Sequence, residues 1–287
     1  MDNFGKAIVA VGIGNALEWF DFAIFGALVD IIGFHFFPAD HGGAALMFSF
    51  ALYGTAFLMR PLGGILIGHL GDSFGRKHAL ELSISLMVIP SFLMGCLPTF
   101  QSAGYIATIL LVCLRMLQGL AVGGEMIGAY IYTVEGSPPE KRGFWGGVCK
   151  GTALAGTVMG MALVTSLREV LSNDAMYQWG WRVPFLSSLV LGLVGLYFRA
   201  HLHESEAYLT IKAIKKQQAD LSPEKNSLSA AWSVLHKHAA EICVCTLVTS
   251  FWATGYYTCF IWMGKYPVDL LGVCLQCELT VCALMFG

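Results

Sequence analysis

Glu18 and Asp21 are three residues apart inside an apolar run that begins near Ala7. That spacing puts both carboxylates on one side of a helix. Arg115 lies inside another apolar run, which begins near Gly104. At about 1.5 Å of rise per residue, the acids sit roughly 16 and 21 Å along their run, and the guanidinium about 16 Å along its own. A charge at the centre of a bilayer is unfavourable by ~2.5–3.5 kcal/mol or more, so three such groups at one depth need a reason. Desolvation makes a carboxylic acid hold its proton, and a nearby guanidinium weakens that hold. A substrate or arginine that changes place would then load and unload the acid. These residue types fit a proton and substrate site between the first and fourth apolar runs. They also fit a static ion pair that locks two helices together.

Other polar residues extend the pattern. Gln118 lies one turn past Arg115, and Glu125 two turns past Gln118, which makes a polar stripe on one helix. Glu125 falls near the cytoplasmic side, where it belongs either to the stripe or to the interface. Lys150 is about 10 Å into the fifth run. It either snorkels to the surface or faces the cavity, where it would attract a carboxylate. Arg60, in the second run, reads as structural and paired with an acid on a neighbouring helix.

The elements that must position these residues are membrane-spanning helices. Of the 287 residues, 56% are hydrophobic and only 13% are charged. The mean hydropathy is +0.66. Such a chain has too little polar surface to coat a water-soluble globule. Seven runs reach the ~20 apolar residues a span requires, with part of an eighth. They are Ala7–Phe34, Ala44–Leu70, Ala79–Leu97, Gly104–Tyr132, Gly143–Leu167, Trp181–Arg199, Ala239–Met263 and Val268–Gly287. Lysine and arginine fall on the even connections: Arg76 and Lys77, Lys141 and Arg142, then Lys212, Lys215, Lys216, Lys225 and Lys237. The positive-inside rule therefore places those loops and the N-terminus in the cytoplasm. Arg168 and Arg182 in the fifth connection blur the pattern, and Trp179 and Trp181 beside them read as interfacial anchors.

The expected organisation is an all-α membrane protein. Residues 1–200 form a six-helix bundle of two inverted three-helix repeats. Residues 201–238 form a Lys/Gln/Glu-rich cytoplasmic linker, and 239–287 begin a second bundle. Glycines recur at four-residue spacing within the runs, as at Gly119 and Gly123 or Gly156 and Gly160, which lets helices approach closely in lipid. The nine cysteines are scattered, without zinc-site spacing, and read as apolar filler. A net charge of −2 gives no footing for a nucleic-acid partner. No metal cluster, phosphate loop or Ser/His/Asp arrangement argues for a cofactor or an enzyme. His201 and His203, near Glu204, fit an interfacial loop better than a metal site.

The second run ends Gly68-His-Leu-Gly-Asp72-Ser-Phe-Gly75-Arg76-Lys77. Gly75 permits a tight turn, the two basic residues fix topology, and Asp72 suits a helix N-terminus or a basic partner. This stretch resembles the signature between helices two and three of the major facilitator superfamily. Leu114-Arg115-Met-Leu-Gln118-Gly119 resembles that superfamily's fourth-helix motif, tied there to proton coupling. Gly14-Asn15-Ala-Leu-Glu18-Trp19-Phe20-Asp21-Phe22 is similar to the first-helix signature of the metabolite:proton symporters. Gly123-Gly124-Glu125 and Gly180-Trp181-Arg182-Val183-Pro184-Phe185 add to that likeness.

The resemblance covers about residues 5–208. It implies proton symport of a small carboxylate or zwitterion through a cell (inner) membrane by alternating access. Glu18, Asp21 and Arg115 match the family's charged core, and Asp72, Gly75, Arg76 and Lys77 its gating turn. Lys150 departs from the family pattern. The superfamily has twelve helices and a second gating signature, so a missing C-terminal half or a second copy is an expected partner, beside the substrate, protons and the bilayer. The competing reading is a non-transporting membrane remnant or subunit.

Overall fold

The computed structural model describes residues 3–38, 43–201 and 236–256. Most of the expected linker and the expected eighth span lie outside the described residues, as do the side chains of Asp72, Arg76 and Glu125. The chain divides into two compact units, Met1–Lys216 and Gln217–Gly287.

The first unit is built from helices. They are α1 (Asn3–Ala27), α2 (Val29–Phe36), α3 (Gly43–Phe74), α4 (Arg76–Cys96), the short α5 (Phe100–Ala103) and α6 (Tyr105–Glu135), followed by α7 (Arg142–Val170), the short α8 (Asn173–Ala175) and α9 (Arg182–Ala200). By length and composition, α1, α4, α6, α7 and α9 can each cross a membrane. At 32 residues α3 is of comparable length. In the second unit, α10 (Ala239–Tyr256) opens the seventh expected run.

The outer surface of the first unit is apolar. Leu58, Ile65, Ile106, Ile109, Val190 and Leu193 are all exposed. A helix satisfies its backbone internally, so lipid can take the place of water against such side chains.

Lipid supplies little hydrophobic drive between helices, so contact depends on small residues that let backbones meet. The main pairs are α1 with α7, α3 with α6, and α4 with α9. A side chain at Gly156 of α7 would stand 1.9 Å from the Ala16 carbonyl oxygen of α1. One at Gly123 of α6 would stand 2.1 Å from the Arg60 carbonyl oxygen of α3. Exchanging the halves α1–α3–α4 and α6–α7–α9 turns the α1–α7 pair into the α6–α3 pair. It maps the α4–α9 pair onto itself. The pairing is thus unchanged when the two halves are exchanged. Gly147 and Gly151, by contrast, have open space at their Cβ positions and hold no helices together.

Two details depart from the sequence reading. The first run is broken at Leu28, where α1 gives way to α2. Arg168 of α7 donates to the carbonyl of Ala27 at 3.0 Å and to the Asp30 carboxylate at 2.9 Å, so the break is held by a side chain. Trp181 is 1% exposed and packs against Phe36, Phe185 and His35, whereas Trp179 is half exposed. Residues two apart on a helix point in nearly opposite directions, so only one of the pair can sit at the interface.

Candidate functional site

Asp21 is set on the inner face of α1 and is buried. Its nearest cation is Arg115 of α6, with Nη1 3.6 Å from Asp21 Oδ2. Gln118 joins the two. Arg115 Nη1 donates to Gln118 Oε1 at 2.8 Å, one turn along the same helix, and Gln118 Nε2 donates to Asp21 Oδ2 at 2.6 Å. The other carboxylate oxygen accepts from the Ser91 hydroxyl of α4. Ser91 also accepts from Gln118 Nε2 at 2.6 Å, and its single hydroxyl hydrogen is shared between Asp21 and the Met87 carbonyl, 2.9 Å away. Three helices thus close one polar network in the middle of the bundle. Both carboxyl oxygens of Asp21 have a polar neighbour, as a buried polar group requires.

Arg115 is also held by aromatic faces. Its guanidinium carbon lies 3.7 Å from the Phe25 ring centroid and 5.3 Å from that of Phe22. Arg60 of α3 lies 4.8 Å from the Phe22 centroid and 4.3 Å from that of Phe57. Both arginines therefore touch Phe22, and cation–π attraction is stronger where water is excluded. The sequence reading paired Arg60 with an acid. Among the described residues its partners are Phe22 and Phe57 instead, because the side chains that reach it from α1 and from its own helix are aromatic.

Glu18 is fully buried as well. It acts electrostatically on Lys150 of α7 and Tyr130 of α6. Residues three apart on a helix differ by about 60° in direction and 4.5 Å in height, which suffices to point the two acids at different neighbours. Lys150 lies across the bundle with its Nζ 5.2 Å from the Trp19 ring centroid. Asn15 fixes the local register of α1 on α7, donating to the Cys149 carbonyl at 2.6 Å and to Thr152 Oγ1 at 3.0 Å.

At one end of the bundle, Gly75 joins α3 to α4 with φ of +113°, a backbone value that favours glycine. Lys77 donates to the Ala200 carbonyl at 2.7 Å and pairs with Glu81 at 3.8 Å. It thereby caps the C-terminus of α9, where a cation meets the negative end of the helix dipole. Arg199, fully buried, donates to the Leu80 carbonyl of α4. Beside this turn, a cavity of about 280 Å³ is lined largely by Gly64, Gly68, Gly71, Gly123, Gly124 and Gly128.

Sequence reasoning named Asp21, Arg115 and Gln118, which the structure brings together. It missed Ser91, Asn15 and Arg199. Ser91 follows Pro90 within an apolar span, and a hydroxyl there was the available signal. Arg199 was read as the end of a run.

The helical bundle and its buried charge network fit the all-α major facilitator fold. The partially occluded, inward-open xylose transporter XylE of E. coli superposes with a TM-score of 0.67 at 18% identity, over 76% of this chain and 52% of that one. The family model described as sugar (and other) transporter matches residues 6–264, and the chain belongs to that family. Its curated relatives include the glycine betaine/proline/ectoine/pipecolic acid transporter OusA of Dickeya dadantii. The two are 36% identical over 262 residues, which is 91% of this chain and 52% of OusA. The proline/betaine transporter of Escherichia coli K12 is 40% identical over 203 residues, 71% of this chain and 41% of that protein. The chain spans about half the length of the curated relatives it matches.

Proposed function

We propose that this chain provides the proton-handling bundle of a carrier that moves a small polar metabolite, a carboxylate or a zwitterion, together with protons across the cell membrane. The observation that carries the reading is the closed Asp21–Gln118–Arg115–Ser91 network, buried where a bilayer would surround it. A proton loads Glu18 or Asp21 from outside. On Asp21 it relaxes the attraction to Arg115 and frees the guanidinium for a substrate carboxylate. The bundle then rocks against its partner bundle, and the turn around Asp72, Gly75, Arg76 and Lys77 opens or closes the cytoplasmic side. The N-terminus and the 201–238 segment face the cytoplasm. The names of the proline and betaine transporters support the substrate range.

The test is uphill uptake of labelled carboxylates and betaines into proteoliposomes under an inward proton gradient. Asp21→Asn removes the titrating oxygen while keeping the shape, and accumulation against a gradient should vanish. Undiminished uphill uptake in that variant would overturn the assignment of Asp21.

A further inference from the structure

Lys150 and Trp19 are partly exposed, and Glu18 is fully buried. A ligand approaching this corner of α1 and α7 therefore meets the ammonium and the indole first. The ammonium lies against the indole, 5.2 Å from its centroid, on the kind of aromatic face that can also hold a cationic headgroup. The Glu18 carboxylate acts on that same ammonium. The arrangement is firmly set, because Asn15 binds the backbone of Cys149 directly beside Lys150. A cation tethered in place has an effective concentration of the order of millimolar or more, and a free cation must compete with it.

Resting on the symport reading and narrowing its substrate, we propose that Lys150 fills the cation position of this site with the protein's own ammonium, so that the transported molecule is a small carboxylate without a cationic headgroup, taken up with a proton that neutralises Glu18. The charges balance at each stage. In the empty site the Glu18 carboxylate compensates the Lys150 ammonium. When a proton from the outside water settles on Glu18, Lys150 keeps its charge and its N–H donors. One carboxylate of the arriving substrate restores neutrality at this corner, so proton and substrate enter together; a second carboxylate, as in succinate, is left to a cation elsewhere in the site. A zwitterion would bring its ammonium to a place that one already holds. One turn farther along α1, Asp21 is paired with Arg115 of α6 at 3.6 Å. Tyr130 of α6 and Cys149 of α7 face the same corner. On α4 and α9 the titratable residues stand near the helix ends: Lys77, His78 and Glu81, then Arg182, Tyr197 and Arg199. Asp30 and His35 of α2 lie beyond the Leu28 break.

The experiment is calorimetric titration of the whole chain in lipid nanodiscs, with succinate and glycine betaine as probes and no gradient. Wild type should bind succinate at least roughly tenfold more tightly than betaine. Succinate binding should take up a proton, read from the heat in buffers of different ionisation enthalpy. Lys150→Gln should weaken succinate and strengthen betaine, and Lys150→Arg should keep the wild-type preference. Equal binding of the two probes by wild type, an unchanged ratio in Lys150→Gln, or an inverted ratio in Lys150→Arg would each overturn the proposal. If Lys150→Gln does not fold, the wild-type ratio and Lys150→Arg decide it. The Asp21→Asn uptake assay fails or succeeds separately, since equilibrium selectivity at Lys150 needs no gradient.

Discussion

The members of the central network hold one another through different numbers of bonds, so single truncations should be felt unequally. Arg115→Ala leaves the Asp21 carboxylate buried without its cation, which costs about 3–5 kcal/mol where a buried pair is broken. Adding Asp21→Asn removes the stranded charge, and the double variant should recover much of that loss. Thermal unfolding of the two variants in one detergent checks this. A double variant no more stable than Arg115→Ala would mean that the two groups do not act as a pair. Ser91→Ala removes one donor to Asp21 and should destabilise by about 1–3 kcal/mol, with Ser91→Thr restoring most of it. Much of this network was legible, because an acid or a guanidinium inside an apolar run announces itself. Ser91 was not, since a serine in a membrane helix usually satisfies itself on its own backbone, as Ser83 does on Leu80. Spacing of three shows a shared side of the helix, but it does not say which neighbour stands opposite each carboxylate.

Between helices, the controlling quantity is how near two backbones can come. Gly156 and Gly151 lie on the same helix five residues apart, with opposite surroundings. A Cβ at Gly156 would meet the Ala16 carbonyl oxygen at 1.9 Å, and one at Gly151 would meet nothing within 4 Å. Gly156→Ala should therefore force α1 from α7 and destabilise by about 1–3 kcal/mol. Gly151→Ala should be neutral or slightly stabilising, because alanine has the higher helix propensity. Comparing their thermal stabilities is a direct check, and equal losses would mean that the α1–α7 contact is looser than described. Four-residue glycine spacing did reveal where helices touch, yet it could not separate a packed face from a lipid face. The break at Leu28 was likewise out of reach, because the side chain bound there, Arg168, is more than a hundred residues away. The same long range hides the inward turn of Trp181.

For the molecule as a whole, orientation rests on charge outside the spans. The basic residues cluster in alternate connections, and the arginines that blur the pattern are already engaged. Arg168 is bound to Asp30 and the Ala27 carbonyl, and Arg182 donates to the carbonyls of Gly95 and Leu97 at 2.8 Å each. A cation that caps a helix end has a structural task of its own. Discounting these two sharpens the asymmetry, since Lys141, Arg142 and the lysines of 201–238 lie beyond even-numbered spans. Even Lys77 on that side serves a cap, at the end of α9, and still stands in a connection the rule assigns to the cytoplasm. A reporter that is active only in the cytoplasm should therefore work when inserted after Lys216 and fail when inserted after Ala103, in the connection that carries no basic residue. The reversed outcome would place the Gly75 turn and its glycine-lined cavity on the outer face, and the gating role proposed for Asp72, Arg76 and Lys77 would fall with it.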